Sequence, residues 1–118
     1  MTAKKGRKLN AKSKVWLELD GRSVFGDGKA RLLETIDETG SLKAAAQALG
    51  MSYRGLWERL REMERRLGTK LVVRQAGGAG GGGTRLTGEA RELLDKYHRF
   101  RDGINAIVDA RFEEVFGD

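Results

Sequence analysis

The chain has 118 residues, room for one domain with an appended helix and not for two full cores. Its 23 Lys and Arg exceed its 17 Asp and Glu by a formal +6, a surplus that points first to a polyanion partner. The lack of cysteine excludes disulfides, thiolate metal sites and a Cys nucleophile; one histidine cannot build a multi-histidine metal site, and no run of roughly 18 apolar residues exists to cross a membrane.

Residues 1–13 are Lys-rich and almost without apolar side chains, which predicts a basic, disordered tail. No apolar segment follows as in a secretory signal, and the amphipathic pattern of a transit peptide is missing, so a cytoplasmic location is expected. Val15, Leu17 and Leu19 alternate with Trp16 and Glu18, the period of a half-buried strand. Asp20-Gly21 is a strong hairpin turn and Arg22–Phe25 the return strand, giving a β-hairpin over 14–25.

Three helical patterns divided by glycines follow. Ala30, Leu33, Ile36 and Asp37 hold the first, with Leu32 flanking and Gly40 ending it. Ser41 caps the second, Leu42–Leu49, which is Ala-rich and stopped by Gly50. Ser52 caps the third, Tyr53–Leu67, where Tyr53, Leu56, Leu60, Met63 and Leu67 form an apolar stripe before Gly68.

Lys70–Gln75 reads as a strand and Thr84-Arg85-Leu86 as its return. Between them Gly77, Gly78, Gly80, Gly81, Gly82 and Gly83 fill six of seven positions. Thr87 caps a final helix of about 29 residues, which at 1.5 Å per residue is a rod of roughly 43 Å. Its apolar stripe of Leu93, Tyr97, Phe100, Ile104, Ile107, Val108 and Phe112 is longer than the body it can cover. That makes it a dimerisation candidate, with the segment near Leu93, Leu94 and Tyr97 also packing back on its own domain.

A helix with small residues at Ala44–Ala46, a glycine turn at Gly50 and a second helix with a polar N-terminal face make a helix-turn-helix pattern. An ordinary αα-hairpin has the same local signals, but charge distribution favours nucleic acid. Residues 41–75 carry eight bases and three acids, while residues 15–40 carry three bases and six acids. The strand, glycine loop and strand that follow add a wing. Phosphate contacts are expected from the tail, Lys43, Arg74 and Arg85, and base readout from Ser52, Arg54 and Glu58. Ser41, Tyr53, Arg61, Thr84 and the wing glycines complete the DNA-binding set. Trp57 reads more readily as a core aromatic than as a DNA contact, and His98 as solvated. The tail itself reads equally as a minor-groove arm, an affinity enhancer or a floppy end.

Two enzymatic patterns fail. Gly78-x-Gly80-x-x-Gly83 fits a dinucleotide fingerprint only because the run is so rich in glycine. Gly77-x-x-x-x-Gly82-Gly83-Thr84 has glycine where a phosphate-binding Lys belongs. No catalytic residues, metal ligands or cofactor are expected.

The run Gly40-Ser41-Leu42-Lys43-Ala44-Ala45-Ala46 through Gly50-Met51-Ser52-Tyr53-Arg54, with Trp57, resembles the N-terminal domain of the molybdate-responsive ModE regulators. The segment from Leu71 through the glycines to Leu86-Thr87 is similar too, as is Leu93–Tyr97. A more distant likeness is to LysR-type regulators. The resemblance spans roughly residues 15–116, although Ala90 stands where the family often has a glycine. It implies a mainly α fold with small β: a winged helix-turn-helix over 14–87 beside its hairpin, and a long dimerisation helix over 88–116. It implies a homodimeric regulator binding double-stranded DNA, here without the molybdate-binding modules that full-length members carry. The alternative is a DNA-binding adaptor that needs a separate molybdate-binding partner protein.

Overall fold

A computed structural model describes residues 6–75 and 83–117. The hairpin joins β1 (Trp16–Leu19) to β2 (Arg22–Gly26), antiparallel with Leu19 opposite Arg22. Asp20 and Gly21 both take positive φ, 52° and 79°, the pair that a tight primed turn requires. The register shifts between Leu17 and Glu18, and the expected alternation of burial stops there: Leu19 lies exposed near the turn. The core is reached through β2, whose Val24 and Phe25 are buried.

Four helices follow the sequence boundaries closely: α1 (Asp27–Thr39), α2 (Leu42–Leu49), α3 (Tyr53–Leu67) and α4 (Gly88–Phe116). Their ends are chemically fixed. Ser41 accepts a hydrogen bond from the Ala44 N–H, Ser52 from Gly55 and Thr87 from Ala90, each satisfying one orphan donor. Gly40, Gly50 and Gly68 end α1, α2 and α3 in the left-handed conformation that side chains disfavour. Phe25, Leu33, Ile36, Leu56, Leu60, Met63 and Leu71 are fully enclosed, so α1, α3, the hairpin and the approach to the wing share one core. Ala45 and Ala46 are buried where α2 meets its neighbours, as close helix packing requires.

The wing strands, β3 (Val72–Gln75) and β4 (Gly83–Leu86), pair antiparallel with Val72 opposite Leu86 and Gln75 opposite Gly83. Three hydrogen bonds weld this ribbon to the helices. Thr84 N–H donates to the Gly40 carbonyl at 2.9 Å, Leu71 N–H to Glu64 Oε2 at 2.8 Å, and the Thr87 hydroxyl to the Lys70 carbonyl at 2.8 Å. The expected wing-tip residues Gly77, Gly78, Gly80, Gly81 and Gly82 lie outside the described residues.

α4 divides in two. Ala90 and Tyr97 are buried, and Leu93 and Leu94 pack against the same core. Beyond Tyr97 the helix buries no further side chain in the core and runs on through Gly103. His98 is not solvated alone, as the sequence suggested; it pairs with Glu34 of α1, a partner 64 positions away. The chain before the hairpin is also tied down. Arg101 donates to the Ser13 hydroxyl and carbonyl, each at 2.6 Å, which fixes the end of the segment expected to be a free tail.

Candidate nucleic-acid interface

The first turn of α2, the first two turns of α3 and the base of the wing converge on one surface. Lys43 stands exposed on α2, and Arg54, Glu58 and Arg61 on the outward side of α3. Arg54 and Glu58 pair with each other at 3.3 Å, one helical turn apart and both widely exposed. Such a surface pair is worth well under about 1 kcal/mol, so exchanging it for a base or phosphate contact costs little. Ser41 and Ser52 spend their oxygen as helix caps, and each hydroxyl proton remains available to donate. At Gly55 a Cβ would lie 2.9 Å from Ser52 Oγ, so the glycine leaves room for that cap.

Trp57 packs against the core, the role the sequence favoured, and its outer side borders this surface. It is half-buried, but the Arg61 guanidinium sits 5.0 Å and that of Arg74 5.7 Å from its ring centroid. Its indole Nε1–H donates to the Tyr53 hydroxyl at 3.0 Å, and Arg74 Nη2 donates to the same oxygen at 3.0 Å. The Tyr53/Trp57 spacing of four was a legible signal. The arrival of Arg74 from β3 was not, because it depends on how the wing docks.

At the other wing strand, Gln75 with its amide oxygen toward Arg85 accepts from Arg85 Nη1 at 3.1 Å and Nε at 3.3 Å. Thr84, expected on the DNA-facing surface, is only 7% exposed because its strand is pinned to Gly40, and it lines a cleft beside Lys43 and Arg74. Gly83 is close-packed there too; a Cβ would meet the Gly40 carbonyl at 3.0 Å. Ser41, Lys43, Tyr53, Arg74, Gly83 and Thr84 enclose a cleft of about 260 Å³. Arg65, further along α3, is engaged by Glu62, whose carboxyl is held below its usual range by hydrogen bonds from Arg66 and then Arg65.

The dimerisation set separates by position. Tyr97 is 2% exposed and Leu93 packs on the core, so Tyr97 is spent within the protomer and drops out of that set. Phe100 and Ile107 remain 46% and 69% exposed, with Ile104, Val108 and Phe112 half-buried on the protruding part.

Residues 28–91 match the family model of bacterial regulatory helix-turn-helix proteins of the lysR family. The chain belongs to that family. It is 33% identical over 108 residues to the molybdenum transport protein ModE of Azotobacter vinelandii, covering 89% of this chain and 40% of that protein. To the DNA-binding transcriptional dual regulator ModE of Escherichia coli it is 32% identical over 89 residues, covering 75% of this chain and 34% of that one. The chain thus spans well under half the length of these relatives. In fold it is similar to the DNA-binding domain of CbnR in its DNA complex, with a TM-score of 0.53 at 20% identity, over 71% of this chain and 91% of that one. Full-length CbnR, a LysR family transcriptional regulator, gives 0.55 at 21% identity, over 73% of this chain and 28% of that one. These likenesses bear out the winged helix-turn-helix expected from the sequence, of the LysR and ModE regulator type. No helix among the described residues is long and apolar enough to cross a membrane.

Proposed function

We propose that the chain binds double-stranded DNA sequence-specifically as a homodimer, in the manner of ModE-type regulators, with α3 in the major groove. The observation that carries this reading is the grouping of Lys43, Arg61 and Arg74 about Tyr53 and Trp57 of α3, with Arg54 exposed on its first turn, in a chain whose family is that of regulatory helix-turn-helix proteins. Arg54 reads bases, together with Ser52 and Glu58. Lys43, Arg74 and Arg85 hold phosphates and set the register. The exposed stripe from Phe100 to Phe112 joins two copies, which spaces their recognition helices about one DNA turn, roughly 34–36 Å, or a multiple of it.

Selection of bound DNA from a random pool, followed by footprinting, tests the proposal and yields the site. If a dimer neutralises about eight phosphates, log K against log salt slopes near −7. Arg54→Ala is expected to erode discrimination between the selected site and random duplex by about 1–3 kcal/mol. Lys43→Ala is expected to weaken both alike and to flatten the salt slope. A salt-independent affinity, or equal loss of discrimination in both variants, refutes the assignment. Retardation is expected without added oxyanion, because these contacts come from residues 41–85. A requirement for molybdate together with a second protein would favour the adaptor reading instead.

A further inference from the structure

Tyr53 Oη accepts two hydrogen bonds, from Trp57 Nε1 and from Arg74 Nη2, each at 3.0 Å. A phenol oxygen offers two acceptor positions and one proton. With both acceptor positions taken, the only hydrogen bond left to this hydroxyl is one it donates. Its surroundings in the cleft have the same polarity. Lys43 and Arg74 are donors only, and no described residue lining the cleft is Asp or Glu. The first turn of α2 begins at the rim, where Ser41 satisfies the Ala44 N–H and leaves the Leu42 and Lys43 N–H groups without an intrahelical acceptor. Thr84 lines the cleft while more than nine-tenths enclosed, and its hydroxyl makes no hydrogen bond among the described residues. No sealed side-chain nitrogen or oxygen among the described residues lacks a partner, so this hydroxyl keeps access to the open space bounded by Leu42, Arg74 and Thr84.

We propose that the cleft binds one phosphate-type oxyanion, and that Trp57 is the positioning residue which, with Arg74, makes Tyr53 its oriented donor. Trp57 acts through its neighbours. Its N–H fixes the phenol oxygen, and its ring carries Arg61 and Arg74. The convergence of donors from α2, α3, β3 and β4 selects a group that accepts hydrogen bonds on several oxygens and carries negative charge. The proposal rests on the DNA-binding reading for its main ligand, a backbone phosphodiester; inorganic phosphate has the same chemistry and serves as an independent probe.

Duplex affinity measured by fluorescence anisotropy is the first arm. Tyr53→Phe is expected to weaken binding by roughly fivefold to tenfold with the salt slope unchanged, because a neutral donor is lost and no charge. Trp57→Phe keeps a ring for the arginines but removes the N–H, and is expected to weaken binding by about threefold. The double variant should match Tyr53→Phe alone, since Trp57 works through that hydroxyl. Wild-type affinity in Tyr53→Phe, or losses that multiply in the double variant, overturns the proposal. The second arm titrates the free protein with inorganic phosphate against chloride of equal ionic strength. Phosphate-specific amide shifts at Lys43 and Thr84, lost in Tyr53→Phe, support a site that also takes the free anion. No such shifts, with Tyr53→Phe still weakening duplex binding, assign the cleft to the phosphodiester. A wild-type protein that binds no duplex yet shows the phosphate shifts removes the DNA reading and leaves the cleft standing. Neither response overturns both.

Discussion

Tyr97 joins three separate parts of the chain through one side chain. Its ring meets Phe25 edge-on at 5.1 Å, and its hydroxyl donates to Asp27 Oδ1 at the start of α1 and lies 3.4 Å from the Val15 carbonyl. Arg101, one turn further along α4, holds both oxygens of the same carboxylate at 3.1 Å as well as Ser13. The hydrogen bond from Tyr97, then that from Arg101, holds the Asp27 carboxyl below its usual range. Burial, then the bond to Asp27, pushes the Tyr97 phenol up to about 12. Asp27 therefore contributes stability that is present above the unfolded carboxylate value of about 3.9 and is lost as pH falls through its lower folded value. Tyr97 contributes stability that is present below about pH 10 and is lost as pH rises through its folded value. Melting temperature is expected to be level between these limits as far as the pair is concerned. Asp27→Asn should shallow the acid limb, where Glu62 still contributes, and Tyr97→Phe should cost about 1 kcal/mol at neutral pH and shallow the alkaline limb. An acid limb of unchanged steepness in Asp27→Asn would remove Asp27 from this role.

Among the elements, what could be read in advance was whatever a few consecutive residues decide. The caps Ser41, Ser52 and Thr87 and the stops Gly40, Gly50 and Gly68 mark their helices within single turns of chain, and each stands where the sequence placed it. Contacts between elements were not legible in this way. The pairing of His98 with Glu34, the grip of Arg101 on Ser13 and the meeting of Arg74 with Tyr53 all join positions 21 or more apart. No local pattern announces such meetings, because the docking of whole elements decides them. The same distinction predicts opposite signs for two glycines. Gly50 sits at φ 69° in the turn between α2 and α3, so Gly50→Ala is expected to destabilise by about 1–2 kcal/mol although a methyl group meets nothing there. Gly103 lies within α4 at ordinary helical φ with open space around it, so Gly103→Ala is expected to stabilise that helix by about 0.5–1 kcal/mol. Urea denaturation followed by circular dichroism measures both, and effects of the same sign would refute the backbone argument.

At the scale of the whole molecule the shape departs from what a lone domain adopts. The radius of gyration is 18.3 Å over extents of 59 × 35 × 21 Å, whereas a compact chain of this length has about 13.5 Å. α4 contributes to the excess: its last turns cover no core and yet present Phe100, Ile104 and Ile107 at spacings of four and three, with Val108 and Phe112 a turn apart beside them. An apolar stripe left in water on a helix of this length is stable only when something covers it, and a second copy offers a matching stripe by symmetry. Ile107 is the sharpest probe, since it is the most exposed residue of the stripe and takes no part in the protomer core. Ile107→Glu is expected to keep the helix content and the melting of the winged body, because neither depends on that side chain. It should sediment near 13.1 kDa, whereas the wild type is expected to sediment near twice that mass. Losing the tether between two reading heads lowers DNA affinity by about 10²-fold or more and shrinks the footprint to one half-site. A wild-type protein that sediments as a monomer while protecting two half-sites would show that DNA, and not α4, brings the copies together.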